Sequence, residues 1–319
     1  MKQKNELIIN RLHLTINKMV KGTIKNDTNK FQSLPISTQT VMIYFNCLFN
    51  INNIHSILHV EKCSETDLKK VVGEHGKIYH VKDRDGVRGI PTKKKGNFRN
   101  QITLKIWIID KLITVKIFPT GKLQLSGCKT SKHHEGTAIE LIKHIKKYQE
   151  PDKECIILNT NEPLTAIIEV VMVNVDFFIG FDIELAKLDA ILQTEDNAFY
   201  TIFDAPVTSN VNIKLDYDNP GTDKFRKITF SGDKTKLSYT NKCPKSRPKK
   251  MYKHTFLVFS TSKIIQSGRY YDTQMEAAYT KFMEFMNAHR KDIELVISDK
   301  KQDISDILKN RGSLNIKLK

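Results

Sequence analysis

Residues 114–127 read TVKIFPTGKLQLSG, and residues 255–268 read TFLVFSTSKIIQSG: one pattern, displaced by 141 positions without a gap. Six of the 14 positions are identical, namely Thr114/Thr255, Phe118/Phe259, Thr120/Thr261, Lys122/Lys263, Ser126/Ser267 and Gly127/Gly268. Each copy reads as a strand, a turn and a second strand, and each runs directly into a helical pattern. A half-domain repeated once predicts a two-fold object. Chance likeness between two β-rich segments is the competing explanation. The ungapped Phe, Lys and Ser-Gly, with like elements on both sides, argue against it.

Working outward, residues 1–35 form a Lys/Asn-rich extension closed by Pro35. The first repeat spans 36–150. It reads as a strand from Thr40 to Asn46, a short helical pattern at Ile51, Ile54, Ile57 and Leu58, and a basic loop. Strands Gln101–Ile109, Leu112–Phe118 and Lys122–Gly127 follow, then a helix from Ser131 with Ala138, Leu141, Ile142 and Ile145 on one face. The second repeat, 151–295, gives the same order: strand Ala166–Val175, a helix with Leu185, Leu188, Ile191 and Leu192, strand Asn212–Tyr217 and the shared hairpin. A capping box at Thr273 and Glu276 then opens a helix carrying Ala278, Tyr279, Phe282 and Met286. Leu104-Lys105-Ile106 matches Ile213-Lys214-Leu215 at an offset of 109, so 141 − 109 = 32 residues are inserted in the second repeat, at about 218–252. Residues 296–319 form a C-terminal extension with one short helical pattern at Ile304, Ile307 and Leu308.

The net charge is +17, and it is clustered. Lys77 to Arg99 holds eight Lys/Arg against Asp83 and Asp85, and Lys242 to His254 holds six Lys/Arg and no acid. Each stretch is therefore +6, which points to an anionic partner, nucleic acid before membrane surface, with a solvated basic loop as the bland alternative. The five cysteines, 47, 63, 128, 155 and 243, contain no CxxC pair, which argues for a reducing compartment and against a zinc knuckle. His133-His134 at a helix start reads as capping or surface use rather than metal ligation. No secretory signal is visible, and the most apolar stretch, Ala166 to Phe181, is too short to span a bilayer, so a soluble chain is expected. No P-loop, GxGxxG after a strand, HExxH or paired acids argue for catalysis, so no enzyme, cofactor or metal is expected.

One amphipathic helix covers only one face of its sheet. The expected fold class is thus α+β: two β-α-β-β-β-α repeats joined in one antiparallel sheet with helices on one side and a bare face on the other. Alternation shows what the bare face carries. Val115, Ile117, Leu123 and Leu125 point inward, while Thr114, Lys116, Phe118, Lys122, Gln124 and Ser126 point outward. In the second copy Phe256 and Val258 point inward, and Thr255, Leu257, Phe259, Lys263, Ile265 and Ser267 outward. Apolar patches among hydrogen-bonding groups, flanked by positive charge, suit an opened minor groove; a dimer interface is the alternative.

These residues resemble the TATA-box-binding protein (TBP) family, and more closely its divergent relatives in large DNA viruses. Phe118-Pro-Thr-Gly-Lys-Leu-Gln-Leu-Ser-Gly-Cys-Lys129 is similar to the family's Ile-Phe-x-x-Gly-Lys-x-x-x-Thr-Gly-Ala-Lys, and Phe259-Ser-Thr-Ser-Lys-Ile-Ile-Gln-Ser-Gly268 to its second copy. The resemblance covers about 36–295 in order of elements. It implies a saddle of roughly ten strands with helices on its convex face, which kinks duplex DNA from the minor groove by apolar wedges. It also implies transcription initiation factors or RNA polymerase subunits docked on the convex helices, a monomer with an internal pseudo-two-fold, and no membrane. The place of work it implies is the site of viral transcription, in a cytoplasmic factory or the nucleus of the host, or packaging in the virion.

Carried over by position, Phe118 and Phe259 match the family's wedge phenylalanines, and Phe98 matches the second wedge of the first half. The second half offers only Ala205-Pro206-Val207-Thr208 there, with Phe203 the nearest aromatic. Ser126 and Ser267 take the place of groove-facing Thr, and Gln124, Leu257 and Ile265 share that face. The central Asn pair, which reads A·T edges, maps onto Thr40 and Val170, with Met42 and Met172 beside them. Lys105, Lys116, Lys122, Lys214, Lys263 and Arg99 fall at or near backbone-contacting positions. A transcription initiation factor on double-stranded DNA is therefore expected, with sequence preference weakened by loss of both Asn. The same fold serving as a protein-interaction scaffold is the alternative, and a basic RNA-binding module is a third.

Overall fold

The computed structural model describes residues 31–62, 73–83, 86–91, 100–158, 161–194, 198–205, 207–218, 224–242, 244, 251–269 and 271–295. Residues 1–30 and 296–319, Phe98, Arg99 and most of the Lys and Arg side chains of both basic runs lie outside these residues. After a short turn at Phe31–Ser33, the strands are β1 (Ile36–Phe45), β2 (Cys47–Phe49), β3 (Ile78–Lys82), β4 (Val87–Gly89), β5 (Ile102–Ile108), β6 (Lys111–Phe118) and β7 (Lys122–Cys128). They continue with β8 (Ile156–Leu158), β9 (Thr165–Phe178), β10 (Phe199–Ile202), β11 (Asn210–Asp218), β12 (Phe225–Ser231), β13 (Lys234–Thr240), β14 (Met251–Phe259) and β15 (Lys263–Gly268). The helices are α1 (Ile51–Ile57), α2 (Ser131–Tyr148), α3 (Leu185–Thr194), α4 (Glu276–Ala288) and the single turn α5 (Arg290–Ile293).

Thirteen of these strands form one antiparallel sheet, in the order β10-β11-β14-β15-β9-β1-β7-β6-β5-β3-β4, with β12 and β13 joined to the side of β9. The chain is thus α+β, a large antiparallel sheet with few helices. Outward from the central β1–β9 pair the two wings run through the hairpins of the duplicated segment, β7–β6 on one side and β15–β14 on the other. The repeated turns keep one backbone device. Gly121 has φ +71°, and a Cβ there would meet the Cys47 carbonyl oxygen at 2.0 Å, so only glycine fits. Ser262, 141 positions later, adopts the same left-handed conformation with φ +59° and accepts its strain.

The period-2 alternation of the strands is realised in burial. Ile113, Val115 and Ile117 of β6 and Leu123 and Leu125 of β7 are fully buried, as are Phe256, Val258 and Ile264 in the second wing. Those of the first wing meet the apolar stripe of α2, where Ala138, Leu141, Ile142 and Ile145 join Val41, Ile43 and Leu125 in one core. Each such side chain contributes about 1.5–3 kcal/mol of transfer free energy. On the other wing Phe282 of α4 stacks on Phe256 at 4.3 Å and meets Phe177 edge-on at 6.3 Å. Helix α2 starts as the His133 reading implies. His133 Nδ1 accepts from the backbone N–H of Lys129 at 3.1 Å, and its Nε2 lies 2.7 Å from Asp110 Oδ1. That imidazole holds the exposed Asp110 carboxyl below the usual carboxylate range. Helix α4 departs from expectation. A wide helical turn at Tyr271–Met275 precedes it, Met275 is its N-cap residue with no side-chain cap, and the Thr273/Glu276 box is not formed.

One buried ion pair marks the place where the sheet branches. Strand β15 pairs with β9 only from Val173 to Phe178, and β12 takes over the same edge from Thr165 to Ile168. Between them Arg269 reaches Glu169 at 2.8 Å, the Tyr44 hydroxyl donates to Glu169 at 2.8 Å, and the guanidinium lies over the Tyr252 ring. The low dielectric there makes this pair costly to break from either side.

Candidate nucleic-acid interface

The face opposite the helices is built from cross-strand rows. One runs Lys105–Thr114–Ser126–Thr40–Met172 across β5, β6, β7, β1 and β9. Its counterpart in the other wing runs Lys214–Thr255–Ser267–Asn174–Thr38. A second set reads Thr103–Lys116–Gln124–Met42 on one side and Asn212–Leu257–Ile265–Asp176 on the other. At the ends of the hairpins Phe118 pairs with Lys122, which pairs with Tyr44, and Lys263 pairs with Phe178 beside the turn that Phe259 enters. All of these side chains are half-buried or exposed.

The rows correct one residue assignment. Thr40 stands opposite Ser126, and it is Asn174, not Val170, that stands opposite Ser267. Val170 lies opposite Val41 and packs against the core. The physical reason is a bulge. The register of β1 on β9 shifts between Thr40 and Val41, and burial along β9 changes phase from Ala166 and Ile168 to Val173, Val175 and Phe177. Asn174 Oδ1 is buried without a hydrogen-bond partner, so this side chain retains unused polar capacity.

Gln124, Ser126, Leu257, Ile265 and Ser267 fall where alternation put them, Met42 and Met172 share that open face, and Phe118 and Phe259 stand at the hairpin ends. One feature escaped the sequence reading. Phe178, at the end of β9, is 62% exposed, the largest fraction for any phenylalanine among the described residues. In the loop before β11, Val207 is 77% exposed. Asn210 opposes Phe259, and Ile102 opposes Ile117, so residue 101 is level with Phe118. Counting three residues back from each level position reaches Phe98 in one wing and Val207 in the other. Phe203 sits in the same loop, half-buried.

The electrostatics are one-sided. Lys105, Lys116, Lys122 and Lys214 have no carboxylate within ion-pair distance among the described residues, and Lys122 reaches toward the Tyr44 ring at 6.0 Å. Lys263 is the exception, 3.4 Å from Asp176. At the outer end of the first wing, Trp107, Tyr79, Ile90 and Leu112 form a small apolar cluster of their own. A surface of free ammonium groups, short hydroxyls and flat apolar side chains can hold a polyanion against an apolar floor.

With this geometry in hand, similarity to known proteins adds a name. No family model matches the chain. Over 115 residues it is 28% identical to a protein of Acanthamoeba polyphaga mimivirus named TATA-box-binding protein-like. That segment is similar to a TBP-like protein. The matched part is 33% of this chain and 31% of the viral protein, so the similarity spans about a third of each. The TBP of Methanococcus jannaschii superposes with a TM-score of 0.41 at 13% identity, over 80% of this chain and 98% of that one. Among the described residues no helix is long and apolar enough to cross a membrane.

Proposed function

We propose that this chain is a transcription initiation factor that binds duplex DNA through the minor groove, bends it, and serves as a platform for other factors. In this reading the sheet is a saddle made of two pseudo-symmetric β-α-β-β-β-α repeats, with DNA under the open face and protein partners on the helices. The observation that carries it is the pair of matching rows, Lys105–Thr114–Ser126–Thr40 and Lys214–Thr255–Ser267–Asn174, closed at each hairpin end by a phenylalanine beside a lysine. Hydroxyls and amides in the middle suit base edges, lysines at the sides suit phosphates, and the phenylalanines suit insertion between base steps. Asn174 supports a degree of central readout in one half, where Thr40 supplies only a hydroxyl in the other.

The test is a bending assay by FRET on an end-labelled duplex chosen from a random library. The Phe118→Ala/Phe259→Ala double variant is expected to bind with reduced bend. Adding Phe178→Ala is expected to flatten the duplex further. Wild-type bend amplitude in the double variant sinks the wedge assignment.

A further inference from the structure

We propose that the β12–β13 hairpin extends the DNA-contacting face beyond β9, level with the first-wing wedge, and takes phosphates there with Lys227, Lys234 and Lys236. This inference rests on the reading of the open face as a duplex-binding surface. The hairpin is the insertion of the second repeat, and it is stitched to the sheet in register. Arg226, Lys227, Ile228 and Thr229 pair with Ile168, Ile167, Ala166 and Thr165 of β9. Ile167 in turn pairs with Tyr44, Tyr44 with Lys122, and Lys122 with Phe118. One continuous row therefore runs Ser238–Lys227–Ile167–Tyr44–Lys122–Phe118 across six strands.

The two sides of the hairpin differ in chemistry. Ile228 and Phe230 enter the core, so their cross-strand partners Leu237 and Thr235 lie on the helix side, with Arg226 and Tyr239 in the same phase. Arg226 there pairs with Glu135 of α2. Lys227, Thr229 and Ser231 alternate to the open side, where their partners are Ser238, Lys236 and Lys234. That side carries three lysines with no carboxylate in ion-pair distance among the described residues, and Lys234 and Lys236 are exposed. Lys227 lies in the row of Lys122 and Phe118, and Lys236 and Lys234 lie one and two rows beyond it on the open side. Among the described residues the second wing has no equivalent, so the footprint on DNA is asymmetric.

The free edge of β13 also raises an acidic peptide as an occupant, since among the described residues this strand pairs only with β12. Its apolar residues, Leu237 and Tyr239, face away from the lysines, and the lysines share the plane of the proposed DNA floor, which favours DNA. The experiment measures duplex affinity against KCl concentration for the full chain, for Lys227→Gln/Lys234→Gln/Lys236→Gln, and for Lys105→Gln/Lys116→Gln/Lys214→Gln. A fluorescein-labelled Glu-rich peptide is titrated in parallel. Each phosphate neutralised contributes about 0.9 to the slope of log affinity on log salt, so the hairpin variant is expected to be shallower by up to about 2.7. An unchanged slope there, beside a shallower one in the face variant, overturns the hairpin inference alone. A hairpin variant that keeps the slope and loses the peptide makes β13 a protein-docking edge, which also overturns it. A wild-type slope near zero overturns the reading of the whole face and this inference with it.

Discussion

His254 makes the folded protein sensitive to mild acid. Its imidazole is 1% exposed, stacks on Tyr217 at 4.0 Å, and has no hydrogen-bond partner on either ring nitrogen. Gly268 leaves room for it, since a Cβ there would lie 2.2 Å from Nδ1. Burial lowers its pKa from 6.5 to about 4. The unfolded chain therefore binds a proton that the folded chain refuses, so stability is fully present above about pH 6.5 and is lost as pH falls toward 4. At pH 5 the unfolded state gains a factor of about 30, or about 2 kcal/mol, from this residue alone, and at pH 7.5 almost nothing. The measurement is urea unfolding at both pH values, read by the fluorescence of Trp107, the single tryptophan. His254→Leu is the comparison. Its loss of packing is the same at both pH values and cancels, as do the contributions of carboxylates and of His134, which burial also lowers to about 4. Wild type is expected to lose about 2 kcal/mol more than the variant between pH 7.5 and 5. Equal losses would refute the argument that a dry, unpartnered imidazole sets the acid limit.

Two further stability predictions follow from local geometry. Gly121→Ala places a methyl against the Cys47 carbonyl at φ +71° and is expected to cost at least about 2 kcal/mol, whereas Ser262→Gly at the matching turn should gain about 0.5–1 kcal/mol. Both are read from urea midpoints, and a neutral Gly121→Ala would show that the turn can open. Arg269→Met removes the guanidinium 2.8 Å from the buried Glu169 and is expected to cost about 3–5 kcal/mol, most of it restored by adding Glu169→Gln; additive losses in that double variant would contradict the ion-pair account.

Much of the fold was legible because the duplicated hairpin obeys local rules. Val115 and Ile117 against Lys116 and Phe118 gave the inner and outer faces from the strand period alone, and Leu141, Ile142 and Ile145 gave the covering helix from the helical one. Strands β3 and β4 were hidden in what read as a basic loop, because Ile78 to Lys82 has no alternation when both of its faces are covered. Thr273 and Glu276 have the spacing of a capping box, yet the wide turn before α4 forms instead, since tertiary packing outweighs a cap worth about 1 kcal/mol.

By itself, then, the sequence determined the duplication, the sidedness of each hairpin, the pair Phe118 and Phe259, and the positive surface. All of these depend on neighbours a few residues apart. The tertiary structure alone decided which residue of β9 faces its partner wing. A bulge shifts the phase of a strand without leaving a mark in its composition, and that moved the central position from Val170 to Asn174. It alone brought Phe178 out beside Lys263, and it joined the inserted hairpin to Thr165–Ile168 across about sixty residues of chain. Pairings at that separation are set by competition among strand edges for the same hydrogen bonds, and no local periodicity encodes who wins.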